Sequence, residues 1–183
     1  MYKAGLINRV IRERGIRSII QLGCGDGNQL KYLEVDQYIG LDISKVAIER
    51  CVANHGSNMK RSFIWYDPEH FCDPLHILSA DCAMSLDVLF HLIEDEVFAR
   101  YIHNLFSCGG RYVIIYGLDQ QMTKSVHVSV RYRKYTEYIA KNVQGFRLVF
   151  QVASKGKFGD FHLYERISNV DDTGALRLPL GRS

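Results

Sequence analysis

The chain has 183 residues, of which 47% are hydrophobic and 23% are charged, and its formal net charge is +3. This composition is typical of an ordinary soluble globular protein, and the length fits one domain with a good-sized core. No apolar run approaches the roughly 18 residues of a membrane span, so we expect no membrane partner.

The cysteines and the N-terminus favour a cytoplasmic protein. The five cysteines are odd in number, scattered and never spaced as C-x-x-C, which suits reduced thiols better than disulfides or a zinc site. The first residues carry no signal-peptide core. The weak positive charge permits nucleic acid as a partner without arguing for it.

Helix-like and strand-like segments alternate along the chain. Helical spacing of apolar residues predicts an opening helix that ends at Gly15, a helix after the N-cap Ser44, and further helices near 28–33, 97–106 and 135–143. Apolar runs predict strands at 17–22, 38–42, 62–66, 81–86 and 111–116, and a closing pair at 146–153 and 161–167.

This alternation predicts an α/β fold with a doubly wound, mostly parallel, seven-stranded sheet covered by helices on both faces. The last two strands have no helix pattern between them, so we expect them to form a C-terminal antiparallel hairpin. We assign residues 1–167 to one domain and expect 168–183 to be a loose tail, because its periodicity is weak.

A glycine turn follows the first predicted strand. Gly23, Gly25 and Gly27 alternate with other residues, where glycine allows positive φ or close approach of a ligand to the backbone. Nineteen residues after Gly23, counted as 42 minus 23, Asp42 closes the second strand. A carboxylate at that strand tip can accept both hydroxyls of a ribose, so the pair predicts a nucleoside-cofactor site.

The glycine spacing bears on which cofactor is bound. A dinucleotide fold requires G-x-G-x-x-G, but the third position falls on Asn28 and Gly27 comes one residue early. This disfavours NAD or FAD without excluding them. No Gly-Lys-Ser/Thr follows, so a phosphate-binding loop of the nucleoside-triphosphatase type is poorly supported.

Four sequence features together resemble the class I S-adenosylmethionine-dependent methyltransferases. They are the segment 22–27, Asp42, the segment 80–92 and the glycine pair before the strand at 111–116. The resemblance covers roughly residues 1 to 167 and implies a Rossmann-like methyltransferase fold with S-adenosyl-L-methionine as cofactor.

The resemblance also implies roles for individual residues in cofactor binding. Gly23, Cys24 and Gly25 would line the methionyl portion, Asp42 would hold the ribose hydroxyls, Ile43 would lie against the adenine, Asp67 would face its amino group, and Ser85 and Leu86 would wall the cleft near the sulfonium. One departure stands out. The family usually has Asp or Glu at the position of Gln21, where the acid helps to hold the amino-acid end of the cofactor, and Asp26 is an alternative carboxylate for that role.

Three residues are candidates for a general base. His127 lies in the polar stretch after the fifth strand, and the alternative is an exposed loop histidine. His91 follows the fourth strand, where a scaffold histidine is the alternative, and Asp87 acts either as base or as a helix cap. Tyr116 and Arg131 are candidates for acceptor binding, with packing and solvation as their alternatives. The acidic run 94–96 fits a helix N-terminus better than a metal site.

We therefore expect transfer of a methyl group to oxygen or nitrogen of a small-molecule or sugar-like acceptor. There is no strong basic surface for a macromolecule, although Lys124–Lys134 interleaves cations with aromatic residues as RNA-binding segments do. An RNA or protein acceptor and a non-catalytic cofactor-binding module remain alternatives. The acceptor and the oligomeric state stay open.

Overall fold

The computed structural model describes residues 2–121, 129–153 and 159–168 and is built on a seven-stranded sheet. The strands have the spatial order β3-β2-β1-β4-β5-β7-β6. Their bounds are Ser18–Leu22 (β1), Gln37–Asp42 (β2), Arg61–Trp65 (β3), Ala80–Leu86 (β4), Gly109–Gly117 (β5), Phe146–Val152 (β6) and Asp160–Arg166 (β7). The first five strands pair in parallel, and β7 lies antiparallel between β5 and β6.

The predicted fold class is confirmed, since the sheet is mostly parallel and ends in the antiparallel hairpin of β6 and β7. The α-helices of the described residues are Tyr2–Arg14 (α1), Lys45–His55 (α2), Asp95–Cys108 (α3) and Tyr135–Asn142 (α4). Ser44 caps α2 as predicted, because its side chain accepts a hydrogen bond from the backbone N–H of Ala47.

The helix predicted at 28–33 is wrong. This segment forms only the 3₁₀ turn Leu30–Tyr32, which ends when the N–H of Leu33 bonds to the carbonyl of Leu30. The stretch is too short to offset the cost of nucleating an α-helix. Leu30 and Leu33 are buried from an irregular connection instead.

The core lies in two layers, one on each face of the sheet. On one face, the apolar side chains of α1 and α2 pack against residues such as Ile19 and Tyr38. On the other face, α3 and α4 pack against residues such as Ile20 and Leu22. Successive side chains of β1 therefore point into opposite layers, as expected from the alternation of side chains along a strand.

The chain reverses its winding direction at β1. The chain passes from β1 outward to β2 and β3, then returns to place β4 on the other side of β1. Ligands of such sheets bind beyond the carboxyl ends of the strands at this switch point. Here the turn after β1 folds over the end of β2, with the N–H groups of Gly23 and Cys24 donating to Leu41 O at 2.8 and 3.0 Å.

Within the described ranges, none of the helices combines the length and apolar character needed to cross a bilayer. The tail predicted at 168–183 lies, from residue 169 onward, outside the described residues.

Candidate functional site

The glycine turn after β1 is shaped by positive backbone angles. Gly23, Gly25 and Gly27 have φ of +74°, +58° and +74°. A Cβ added to Gly23 would lie 2.5 Å from Val88 Cγ2, so the loop after β4 packs directly on the glycine backbone. A Cβ added to Gly25 would meet no atom within 4 Å, so Gly25 leaves room for a ligand to approach the backbone.

Asp42 sits at the tip of β2, facing the glycine turn. One carboxylate oxygen accepts the N–H of Gly25 at 2.8 Å, and the other accepts the N–H of Ser44 at 2.8 Å. A carboxylate offers about four lone-pair sites, so about two stay available to a ligand. The two backbone bonds fix the orientation of the carboxylate, and the free sites suit a pair of neighbouring hydroxyls.

A cavity of about 470 Å³ opens at this edge of the sheet. It brings together eight of the residues proposed from the sequence: Gly23, Cys24, Gly25, Asp42, Ile43, Leu86, Asp87 and His91. The lining also contains apolar and aromatic side chains, among them Tyr66, Val88 and Tyr101. Burial raises the pKa of Tyr66 to about 12, and it also raises the pKa of the Cys24 thiol. Both groups are therefore neutral at neutral pH.

Two of the predicted cofactor residues do not line the cavity. Ser85 has no exposed surface and its hydroxyl lies 2.8 Å from that of Tyr101, because alternation along β4 turns its side chain into the core. Asp67 points to solvent, where its carboxylate lies 2.6 Å from His70 Nδ1. This hydrogen bond lowers the pKa of Asp67 and raises that of His70.

Both acceptor-binding candidates also lie outside the cavity lining. The Tyr116 side chain is buried and its hydroxyl accepts the N–H of Gly159 at 3.0 Å. The Arg131 guanidinium donates to Ile93 O at 2.9 Å and to the Asp95 carboxylate. It therefore holds the segment after β4 and does not face the cavity. His127 lies outside the described residues.

Tyr101 and Lys3 contact the site but were not singled out from the sequence. The Tyr101 hydroxyl lies 2.8 Å from Leu22 O and from Ser85 Oγ, so it joins the ends of β1 and β4. The helical spacing at 97–106 predicts only that Tyr101 belongs to the apolar face of its helix. Lys3 reaches from α1 to the Asp87 carboxylate at 2.5 Å, and its ammonium lies 5.0 Å from the Tyr116 ring centroid. No sequence signal links residues so far apart.

The parallel sheet, with a glycine turn and a strand-tip carboxylate at its switch point, defines a nucleoside-binding protein of the Rossmann-like class. Residues 20–114, just over half of the chain, match the family model of a methyltransferase domain. The chain belongs to the class I S-adenosylmethionine-dependent methyltransferases, and S-adenosylmethionine is its cofactor.

Solved structures share the fold at low sequence identity. The N-methyltransferase NodS from Bradyrhizobium japonicum WM9, in complex with S-adenosyl-L-homocysteine, is 15% identical with a TM-score of 0.71, covering 91% of this chain and 87% of that one. Magnesium protoporphyrin IX methyltransferase from Synechocystis PCC 6803, with bound S-adenosylhomocysteine, is 14% identical with a TM-score of 0.69. The match covers 91% of this chain and 83% of that one. A bacterial Hen1 methyltransferase domain is 16% identical with a TM-score of 0.70, covering 91% and 97%. A search of curated protein sequences finds no significant match.

The residues present fit this cofactor. The open space at Gly25 admits a ligand to the backbone, and Asp42 keeps acceptor sites free for hydroxyls. The exposed Ile43 and the ring of Tyr66 both line the cavity and offer apolar surface for a nucleobase. A volume of about 470 Å³ lies within the usual range of small-ligand sites, roughly 300 to 1,000 Å³.

Proposed function

We propose that this protein transfers a methyl group from S-adenosylmethionine to an oxygen or nitrogen atom of a small-molecule or sugar-like acceptor. The observation that carries the proposal is the cavity at the switch point, in which Asp42 keeps free acceptor sites beside the glycine turn. The cofactor supplies an electrophilic methyl group already activated on sulfur. The protein must therefore position the acceptor and, for a hydroxyl, remove its proton.

Cofactor binding is assigned to three groups of residues. The backbone of Gly23, Cys24 and Gly25 faces the amino-acid portion, and Asp42 accepts the ribose hydroxyls. Ile43 and Leu86 cover the remaining apolar surface, with Ile43 against the adenine. The solvent-facing contact of Asp67 with His70 supports no role for the Asp67 carboxylate at the adenine.

Asp87 and His91 are the polar residues on the part of the cavity wall formed by the segment after β4. Asp87 is a poor candidate for the base because its carboxylate is already engaged by the Lys3 ammonium at 2.5 Å. The backbone of Asp87 has a φ of +58°, a left-handed conformation that is strained for a residue other than glycine and must be stabilised by surrounding contacts. His91 is therefore the preferred proton acceptor for a hydroxyl substrate, and a nitrogen acceptor requires none. His127 stays a candidate from the sequence.

The cations at positions 131–134 are paired with carboxylates, which favours a small acceptor over RNA. In the described part of Lys124–Lys134, Arg131 and Arg133 both bind the Asp95 carboxylate, and Lys134 binds Asp119. Cations that are already paired with carboxylates displace few of the counterions bound to a phosphate backbone, so they contribute little to RNA affinity. The Hen1 likeness concerns the fold alone.

Calorimetric titration with S-adenosylhomocysteine and with NAD tests the cofactor site. We expect saturable binding of S-adenosylhomocysteine, one molecule per chain, and none of NAD; absent S-adenosylhomocysteine binding contradicts the proposal. The acceptor is tested by incubating the protein and methyl-labelled S-adenosylmethionine with separated small-molecule and RNA fractions. Label in the small-molecule fraction supports the proposal. Label in RNA, with steeply salt-dependent RNA binding, contradicts it, and label in neither favours a non-catalytic module.

A further inference from the structure

We propose that Gln21 presents a hydrogen-bond donor to the cavity and binds the carboxylate, not the ammonium group, of the cofactor's amino-acid end. This inference rests on the proposed function, because it assumes that the cavity beside Gly23 and Asp42 holds the cofactor. It makes Gln21 a specificity-determining residue, set in place by Tyr38.

Gln21 is a buried polar side chain whose amide orientation follows from its neighbours. The residue is 4% exposed and borders the cavity. Its Nε2 lies 3.4 Å from the carbonyl oxygen of Gly23, and its Oε1 accepts the Tyr38 hydroxyl at 2.8 Å. Exchanging the two amide atoms would place one carbonyl oxygen against another, so Nε2 must face Gly23.

The nitrogen is the amide atom on the cavity side. Gly23 lines the cavity and Tyr38 does not, and Tyr38 is one of the largest side chains buried in the core. The amide oxygen is thus directed inward to the Tyr38 hydroxyl. Nε2 carries two hydrogens and makes only one long contact with Gly23 O among those described, which leaves donor capacity toward a ligand.

The proposed cofactor assignment places the amino-acid end of the ligand beside Gln21. That end is assigned to the backbone of Gly23–Gly25, and two polar side chains of the lining adjoin this backbone: Gln21, whose Nε2 lies 3.4 Å from Gly23 O, and Asp26, which follows Gly25. An amide N–H attracts a carboxylate and repels an ammonium group. Asp26 carries the negative charge on this part of the wall, although Asn28 already donates to its carboxylate twice. The zwitterion would therefore lie with its carboxylate toward Gln21 and its ammonium toward Asp26.

Ligand truncation tests this orientation on the unmodified protein. Calorimetry would compare S-adenosylhomocysteine with two analogues, one with hydrogen in place of the amino group and one with hydrogen in place of the carboxylate. Loss of the carboxylate is expected to weaken binding about tenfold or more, and more than loss of the amino group does. The reverse order overturns the inference and leaves the proposed function standing. Failure of S-adenosylhomocysteine itself to bind overturns both.

Two variants show whether Gln21 is the cause. Gln21→Glu replaces the donor by a negative charge, so the analogue without the amino group is expected to become the weaker ligand of the two. Tyr38→Phe keeps the buried ring but releases the amide, and the carboxylate preference is expected to shrink severalfold. An unchanged order in Gln21→Glu overturns the inference. If circular dichroism shows that Gln21→Glu is unfolded, an unchanged preference in Tyr38→Phe overturns it instead.

Discussion

At the scale of single residues, Asp42 ties the glycine turn to the tip of β2. Its carboxylate accepts the N–H groups of Gly25 and Ser44 and keeps acceptor sites free for the ribose. We expect Asp42→Ala to weaken S-adenosylhomocysteine binding at least tenfold in calorimetry, because charge-assisted hydrogen bonds contribute about 1.5–3 kcal/mol each. Asp36→Asn is the matched control, since Asp36 pairs with Lys60 on the surface and lies outside the cavity lining. Equal affinity of Asp42→Ala and wild type would remove the ribose assignment.

Tyr101 holds the ends of β1 and β4 through a buried hydroxyl. Since Leu22 O can only accept, the Tyr101 hydroxyl donates to it and accepts from Ser85. Tyr101→Phe leaves both partners buried without this bond, so we expect a loss of about 1–3 kcal/mol in the free energy of unfolding, measured with urea. Ser85→Ala added to Tyr101→Phe should cost less than the sum of the two single changes. Strict additivity would show that the two hydroxyls do not act together.

His162 on β7 makes stability depend on pH. Burial lowers its pKa, and its Nδ1 lies 2.8 Å from the Tyr135 hydroxyl, with Asp119, Asp160 and Lys134 as the nearby charges. The unfolded chain takes up a proton near pH 6.5, whereas the native state takes it up only at lower pH. Stability is therefore lost as the pH falls from about 6.5 toward the native pKa, by at most about 1.4 kcal/mol per pH unit.

Urea unfolding between pH 7.5 and 5.5 checks this slope. His162→Gln, which does not titrate, is expected to show a shallower decline than wild type over the same range. An identical slope in both proteins would mean that other groups cause the decline.

At the scale of elements, α1 contributes to the cavity through Lys3. The ammonium of Lys3 partly neutralises the Asp87 carboxylate on the cavity wall. Lys3→Met leaves Asp87 as an unpaired anion, which favours the cationic sulfonium of S-adenosylmethionine over neutral-sulfur S-adenosylhomocysteine. The affinity ratio of the two ligands should rise about two- to fivefold, in keeping with a partly exposed ion pair.

Calorimetry with both ligands measures this ratio, and Asp87→Asn should lower it. A ratio that stays constant in both variants would place the sulfur away from Asp87.

The elements that the sequence predicted correctly are those whose signal is local. The strand that ends at Asp42 and the cap at Ser44 depend on neighbouring residues, and both were placed correctly. The helix at 28–33 failed because periodicity alone does not include the cost of nucleation. The Lys3–Asp87 pair spans 84 residues of sequence, and the amide orientation of Gln21 depends on Tyr38, so neither could be found without the fold.

The sequence also did not reveal that Ser85 is excluded from the cavity, because this too depends on the fold. Membership of β4 was predicted, but the face of β4 that each side chain occupies depends on how the sheet packs. The Ser85 side chain points into the core layer that contains α3, where its hydroxyl lies 2.8 Å from the Tyr101 hydroxyl. The next residue, Leu86, borders the cavity.

At the scale of the whole molecule, the reversal of winding at β1 makes the site. It separates the carboxyl ends of β2 and β4, and the cavity with Gly23, Asp42 and Asp87 on its wall lies between them. The methyltransferase family and the fold follow from the sequence match and the sheet topology. The position of the cofactor in this cavity and the chemistry of the acceptor are the two proposals that experiments on this protein test.

A crystal structure of the protein with S-adenosylhomocysteine tests the central claim most directly. The account predicts electron density in the cavity between Gly23 and Asp42, with both ribose hydroxyls within hydrogen-bond distance of the Asp42 carboxylate and the sulfur on the side of Asp87. Open space beyond the sulfur would then define the size of the acceptor. Ligand density elsewhere on the protein, or a ribose that does not contact Asp42, would contradict the account.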